Sequence, residues 1–120
     1  MKKTINWFEI YTEDLDRAKQ FYTTVFKCEL TDLPVDSERH MNMKYAIFPT
    51  EGALVKMDEA KPGYGGTLIY FATEEINAEL SRVEAAGGKI LRPKLQVGDF
   101  GFIALIEDSE GNLIGLHSTK

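Results

Sequence analysis

The chain of 120 residues holds one cysteine, Cys28. A single thiol excludes an internal disulfide and any cysteine cluster for zinc or an iron–sulfur centre. It also fits a reducing compartment. Long apolar runs are missing too. Nothing approaches the roughly 20 residues that a membrane-crossing helix needs. Lys2 and Lys3 are not followed by the apolar core of a signal peptide, because Glu9, Glu13, Asp14 and Asp16 arrive too soon. A cytoplasmic protein with no membrane partner is the expectation. Basic charge runs short as well: 14 Lys+Arg stand against 19 Asp+Glu, for a net charge of -5. That balance argues against nucleic acid as a main partner. No cluster of Lys and Arg laced with aromatics supplies a groove for single strands.

What remains is an ordinary globular composition, 43% hydrophobic and 28% charged. Residues 5–11 read as a strand rich in aromatic and β-branched side chains. Asp14 reads as the N-cap of a helix running to about Lys27, with Leu15, Ala18, Tyr22, Val25 and Phe26 on one stripe. Short strands follow at 29–33, 43–48 and 53–57, with a polar connection over 34–40. Pro62, Gly63, Gly65 and Gly66 mark the clearest break. A second cycle then begins: a strand at 67–73, a helix at 74–86 closed by Gly87 and Gly88, a strand from Lys89, and strands at 100–107 and 113–117.

The order strand, helix, strand, strand, strand thus occurs twice, over about 1–60 and 61–120. Trp7 meets Thr67 and Ala18 meets Ala78 in this repeat. Near its end Glu51-Gly52 meets Glu110-Gly111. A half of this size has a marginal core alone, so the halves should pack together as one domain. The expected fold is α+β: paired βαβββ modules forming a curved mixed sheet, helices on the convex side and a concave cleft on the other.

Two segments carry a family resemblance. Residues 13–26, EDLDRAKQFYTTVF, resemble the first strand–helix signature of the vicinal oxygen chelate superfamily, which includes glyoxalase I, bleomycin-resistance proteins and extradiol dioxygenases. Residues 108–116, DSEGNLIGL, resemble its last turn and strand, with Ser109 where a proline usually stands. The resemblance implies a U-shaped cleft, a homodimer, and in many members a divalent metal held by one ligand from each of four strands. Those positions map onto Trp7, Lys56, Gly66 and Gly115. Trp7 stands seven residues before Asp14, Lys56 four after Gly52, and Gly115 four after Gly111. None is an ordinary ligand, and a charged lysine repels a divalent ion. The expectation is therefore a metal-free cleft with no cofactor. That puts glyoxalase, dioxygenase and metal-dependent thiol transferase activities in doubt.

The resemblance implies that the mapped ligand positions face the cleft, and strand alternation then sorts the other residues. Trp7, Glu9 and Tyr11 should share the cleft face with Leu54 and Lys56, Leu68 and Tyr70, and Leu113, Gly115 and His117. Phe8, Ile10, Val55, Met57, Ile69, Phe71, Ile114 and Leu116 should face the helices. Trp7 reads as a core or interface anchor, or as a stacking wall for a planar ligand. Tyr11 and Tyr70 can orient a ligand or bond across a dimer seam. Glu9 and Lys56 can pair with each other, or serve as general base and charge stabiliser. His117 is structural or an acid–base group. His40 belongs to the polar connection, and Cys28 reads as an inert thiol.

The ligand-binding candidates are thus Trp7, Glu9, Tyr11, Lys56, Tyr70 and His117, and the catalytic candidates are Glu9, Lys56 and His117. The leading reading is a small-molecule-binding protein of the glyoxalase/bleomycin-resistance type without a metal. A metal-independent lyase or isomerase acting on a small polar metabolite is the second reading. A structural or regulatory protein whose own side chains fill the cleft is the third.

Overall fold

The computed structural model describes residues 5, 7–33, 43–58 and 60–120. The connection over 34–40, with His40, lies outside the described residues. The first half contains β1 (Phe8–Tyr11), α1 (Leu15–Phe26), β2 (Thr31–Asp32), β3 (Lys44–Ile47) and β4 (Gly52–Lys56). The second contains β5 (Ile69–Ala72), α2 (Ile76–Val83), β6 (Lys89–Gln96), β7 (Phe102–Glu107) and β8 (Leu113–Ser118). The βαβββ order therefore occurs twice. Asp14 caps α1, its carboxylate accepting from the Arg17 N–H at 3.0 Å. Lys27 ends the helix in the left-handed region at φ 56°, its N–H donating to Thr23 O. Glu75 caps α2 in the same way through the Asn77 N–H.

The expected single curved mixed sheet with a concave cleft does not form. Among the described residues there are two separate four-stranded sheets, ordered β1-β4-β3-β2 and β5-β8-β7-β6, and neither is curved or closed. Each first strand pairs in parallel with the last strand of its own half, Phe8 opposite Gly52 and Ile69 opposite Ile114. Strand pairing thereby stays within each half among the described residues. Among the described residues no strand of one half pairs with a strand of the other.

Side chains join the halves instead. Ile10, Tyr22 and Leu54 share one core with Ile76, Ile106 and Leu116. Phe71 of β5 stacks on Phe26 of α1, with ring centroids 4.4 Å apart, and its ring also lies against Tyr22 and Phe8. The Arg82 guanidinium of α2 donates to Val25 O at 2.8 and 3.0 Å, satisfying a carbonyl that α1 leaves open.

The two family-like segments are partners of one another. Glu110 accepts from the Glu13 and Asp14 backbone N–H groups at 3.0 and 2.9 Å. It also takes Arg17 in a two-point contact at 2.7 and 2.9 Å. Asp108, almost fully buried, accepts from the Tyr22 hydroxyl at 2.7 Å. Its remaining acceptor sites take the backbone N–H groups of Glu110 and Asn112 and the Asn112 amide. Asn112 in turn donates to Tyr11 O and accepts from the Gly63 N–H. The last turn thus holds β1, the start of α1 and the link between halves in one hydrogen-bonded unit.

Candidate functional site

Register decides which side chains share a face. Ile10 stands opposite Leu54, and both are buried in the core. Glu9 and Tyr11 therefore point to the other side with Ala53, Val55 and Tyr45. In the second sheet Ile69, Phe71, Ile114 and Leu116 pack toward the core. Tyr70, Gly115 and His117 lie on the opposite face, as expected.

Lys56 departs from its expected place. It stands opposite Lys44, in phase with Leu54, so it points away from Glu9 across the sheet. The expected pairing of Glu9 with Lys56 does not occur, and Leu54, Val55 and their neighbours exchange faces. The cause is a slip in the repeat. Gly52 stands opposite Phe8 as Ile114 stands opposite Ile69, so its counterpart is Ile114, three residues beyond Gly111. An odd slip inverts every side chain of a strand.

The remaining candidates fall into two cavities. The larger, about 680 Å³, lies between β1, the link through Lys61, Gly63 and Gly65, and the first residues of β5 and β8. Trp7, Glu9 and Tyr11 line it, with Leu68 and Leu113 opposite. The Trp7 indole N–H donates to Glu9 Oε2 at 3.3 Å, and Trp7 is 43% exposed. This contact holds the ring beside the only carboxylate side chain among the described residues of the lining. Tyr45, on the same face, has its hydroxyl pKa raised by burial first and by the charges of Glu9 and Tyr11 next. Lys61 supplies a cation at the rim and pairs with Glu13 at 3.8 Å. Its role was not legible in the sequence, where the segment reads only as a break between halves.

The smaller cavity, about 360 Å³, is lined by Tyr70, Ala72, Val97, Phe100, Ile103 and His117. Glu9, Lys56 and His117 therefore stand in three different surroundings. Cys28 is half-buried, and burial pushes its thiol pKa up, away from nucleophilic use.

The residues do not fit a divalent metal at the mapped positions. Trp7 and Gly66 offer no donor, and Lys56 faces away. A side chain at Gly115 would place its Cβ 2.5 Å from Tyr70 Cδ2, so the Tyr70 ring occupies the space a ligand there would need. Among the described residues no three His, Cys, Asp or Glu side chains group as a metal site.

The family model of the Glyoxalase/Bleomycin resistance protein/Dioxygenase superfamily matches residues 4–116. The chain belongs to this superfamily. CFP32 of Mycobacterium bovis, provisionally named a glyoxylase, is 29% identical over 119 residues, covering 94% of this chain and 44% of that protein. The chain thus spans less than half the length of that curated relative. A glyoxylase-like domain-containing protein of Didymella fabae is 27% identical, covering 90% of this chain and 88% of its own. Among solved structures, a glyoxylase/bleomycin resistance protein/dioxygenase domain from Frankia superposes with a TM-score of 0.74 at 15% identity, covering 100% and 94% of the two chains. FosX, a fosfomycin resistance protein of Listeria monocytogenes, superposes at 0.73 with 17% identity and the same coverage. The chain has the small-molecule-binding fold of the superfamily and, among the described residues, lacks its metal-chelating cluster. No helix among those residues is long and apolar enough to cross a membrane.

Proposed function

We propose that the protein retains a small polar organic molecule in the larger cavity, with no metal at the superfamily position. The observation that carries this reading is the lining itself. Trp7 offers a flat apolar wall, Glu9 a carboxylate fixed beside it, Tyr11 a hydroxyl, and Lys61 a cation at the rim. A mostly apolar hollow with few polar groups is what orients a small ligand. The relatives named as glyoxylases and FosX support a small-molecule role by their names. The reading includes a cytoplasmic location, a homodimer, and both halves working as one domain. Glu9, Lys56 and His117 do not converge, so turnover by that set is not part of it.

Native mass spectrometry of protein purified without chelator or added metal tests the proposal. A discrete organic mass, whose removal changes the fluorescence of Trp7, is the expected result. A stoichiometric divalent ion with no organic mass overturns it.

A further inference from the structure

We infer that the smaller cavity is a second ligand site, separate from the first, for an uncharged aromatic molecule carrying one hydrogen-bond donor, such as a phenol. It is lined by Tyr70, Ala72, Val97, Phe100, Ile103 and His117, with no carboxylate, ammonium or guanidinium among them. A charged ligand would be desolvated there without a counter-charge, at high cost. The first cavity, with Glu9 and Lys61, has the opposite character.

The residues with polar side chains in this lining are Tyr70 and His117. His117 Nε2 lies 2.6 Å from Phe100 O. A carbonyl oxygen only accepts, so Nε2 carries the proton. In the neutral ring Nδ1 is then a lone-pair acceptor. The proposed site uses that acceptor of the neutral ring together with the Tyr70 hydroxyl. A phenol satisfies both: its O–H donates to Nδ1 and its oxygen accepts from Tyr70.

The rim is built rather than loose. The turn Gly98–Phe100 is closed by Val97 N–H donating to Gly101 O at 2.8 Å and by Phe100 N–H donating to Val97 O at 3.1 Å. His117 holds it from β8. Gly101, at φ +98°, lies so close to β8 that a Cβ would come 2.3 Å from Ser118 O. This fixed turn presents Phe100 with 82% of its surface exposed, beside Tyr70 at 45%. Two exposed aromatic residues in one lining offer ring faces on which a third ring can stack.

The experiment is a titration of the 120-residue chain with p-cresol, toluene and benzoate. His117 ring nitrogens are followed by long-range proton–nitrogen NMR, and Trp7 fluorescence is followed in parallel. p-Cresol should bind saturably, shift Nδ1 while Nε2 stays protonated, and bind about thirtyfold more tightly than toluene, the share of two hydrogen bonds. Benzoate should bind more weakly than p-cresol. Ala72→Phe, at an exposed position, should abolish the His117 response and leave Trp7 fluorescence unchanged. Tyr70→Phe should bring p-cresol and toluene closer together. Equal affinity for p-cresol and toluene in the wild type overturns the inference. So do shifts confined to the surroundings of Trp7, or Phe100 and Ile103 signals that respond to protein concentration and not to p-cresol, which would show a second copy covering the cavity. The two readouts separate this inference from the proposal for the first cavity, since His117 can respond when Trp7 does not.

Discussion

Glu110 is an acid whose environment works in two directions. Burial raises its pKa, but Arg17, the Asp14 and Glu13 N–H groups and the Ser109 hydroxyl together outweigh burial and leave it lowered. A carboxylate with a lowered folded-state pKa stabilises the fold above its ordinary value of 4.5, and this contribution is lost as pH falls below that value. Glu110→Gln should therefore lower the melting temperature at neutral pH and flatten its decline in acid, read by thermal scans across pH. Tyr22→Phe removes the hydroxyl that meets Asp108 in a fully buried position. It should cost about 2 kcal/mol in denaturant unfolding, since a buried carboxyl group loses one of its hydrogen-bond donors. Gly115→Ala drives a Cβ into the Tyr70 ring. It should cost about 1–2 kcal/mol, and less in a Tyr70→Ser background where the ring is gone.

At the scale of elements, local chemistry made most of the fold legible. The α1 cap at Asp14 stood out in the sequence because the residue precedes an apolar stripe, and Asp14→Ala should destabilise the protein by about 1 kcal/mol in urea unfolding. The faces of β1, β5 and β8 were taken from the mapped superfamily positions Trp7, Gly66 and Gly115 with alternation, and the register agrees with them. β4 carried no such signal. Ala53, Leu54 and Val55 are all apolar and all buried, so both faces looked alike, and the face was taken from the matching turn glycines. That match ran out of register, and Lys56 went with it to the wrong side. The larger cavity was half legible. Trp7, Glu9 and Tyr11 lie on a strand and could be sorted by parity, whereas Lys61 is brought in by a glycine-rich link whose path no periodicity encodes.

For the whole molecule, what sequence pattern could not supply was how the halves meet. Strand pairing between halves would have made one curved sheet, but the first strand of each half closes on its own last strand, and the contact is left to side chains and one turn. The turn is the decisive piece. Asp108, Glu110 and Asn112 reach back to Tyr22, Arg17 and Tyr11, residues of the opposite half, and they do so beside aromatic packing of Phe71 against Phe26. Two sheets that share no ladder should unfold together only because of these contacts. Native-state hydrogen exchange measures this directly. In the wild type the slowest amides of β4 and β8 should exchange with one common free energy. In the double variant Arg17→Ala, Glu110→Ala the two strands should separate, each opening below the global value, while the aromatic core alone keeps the halves in contact. If β4 and β8 remain coupled in that variant, the shared aromatic core, and not the turn, is what makes the halves one cooperative unit.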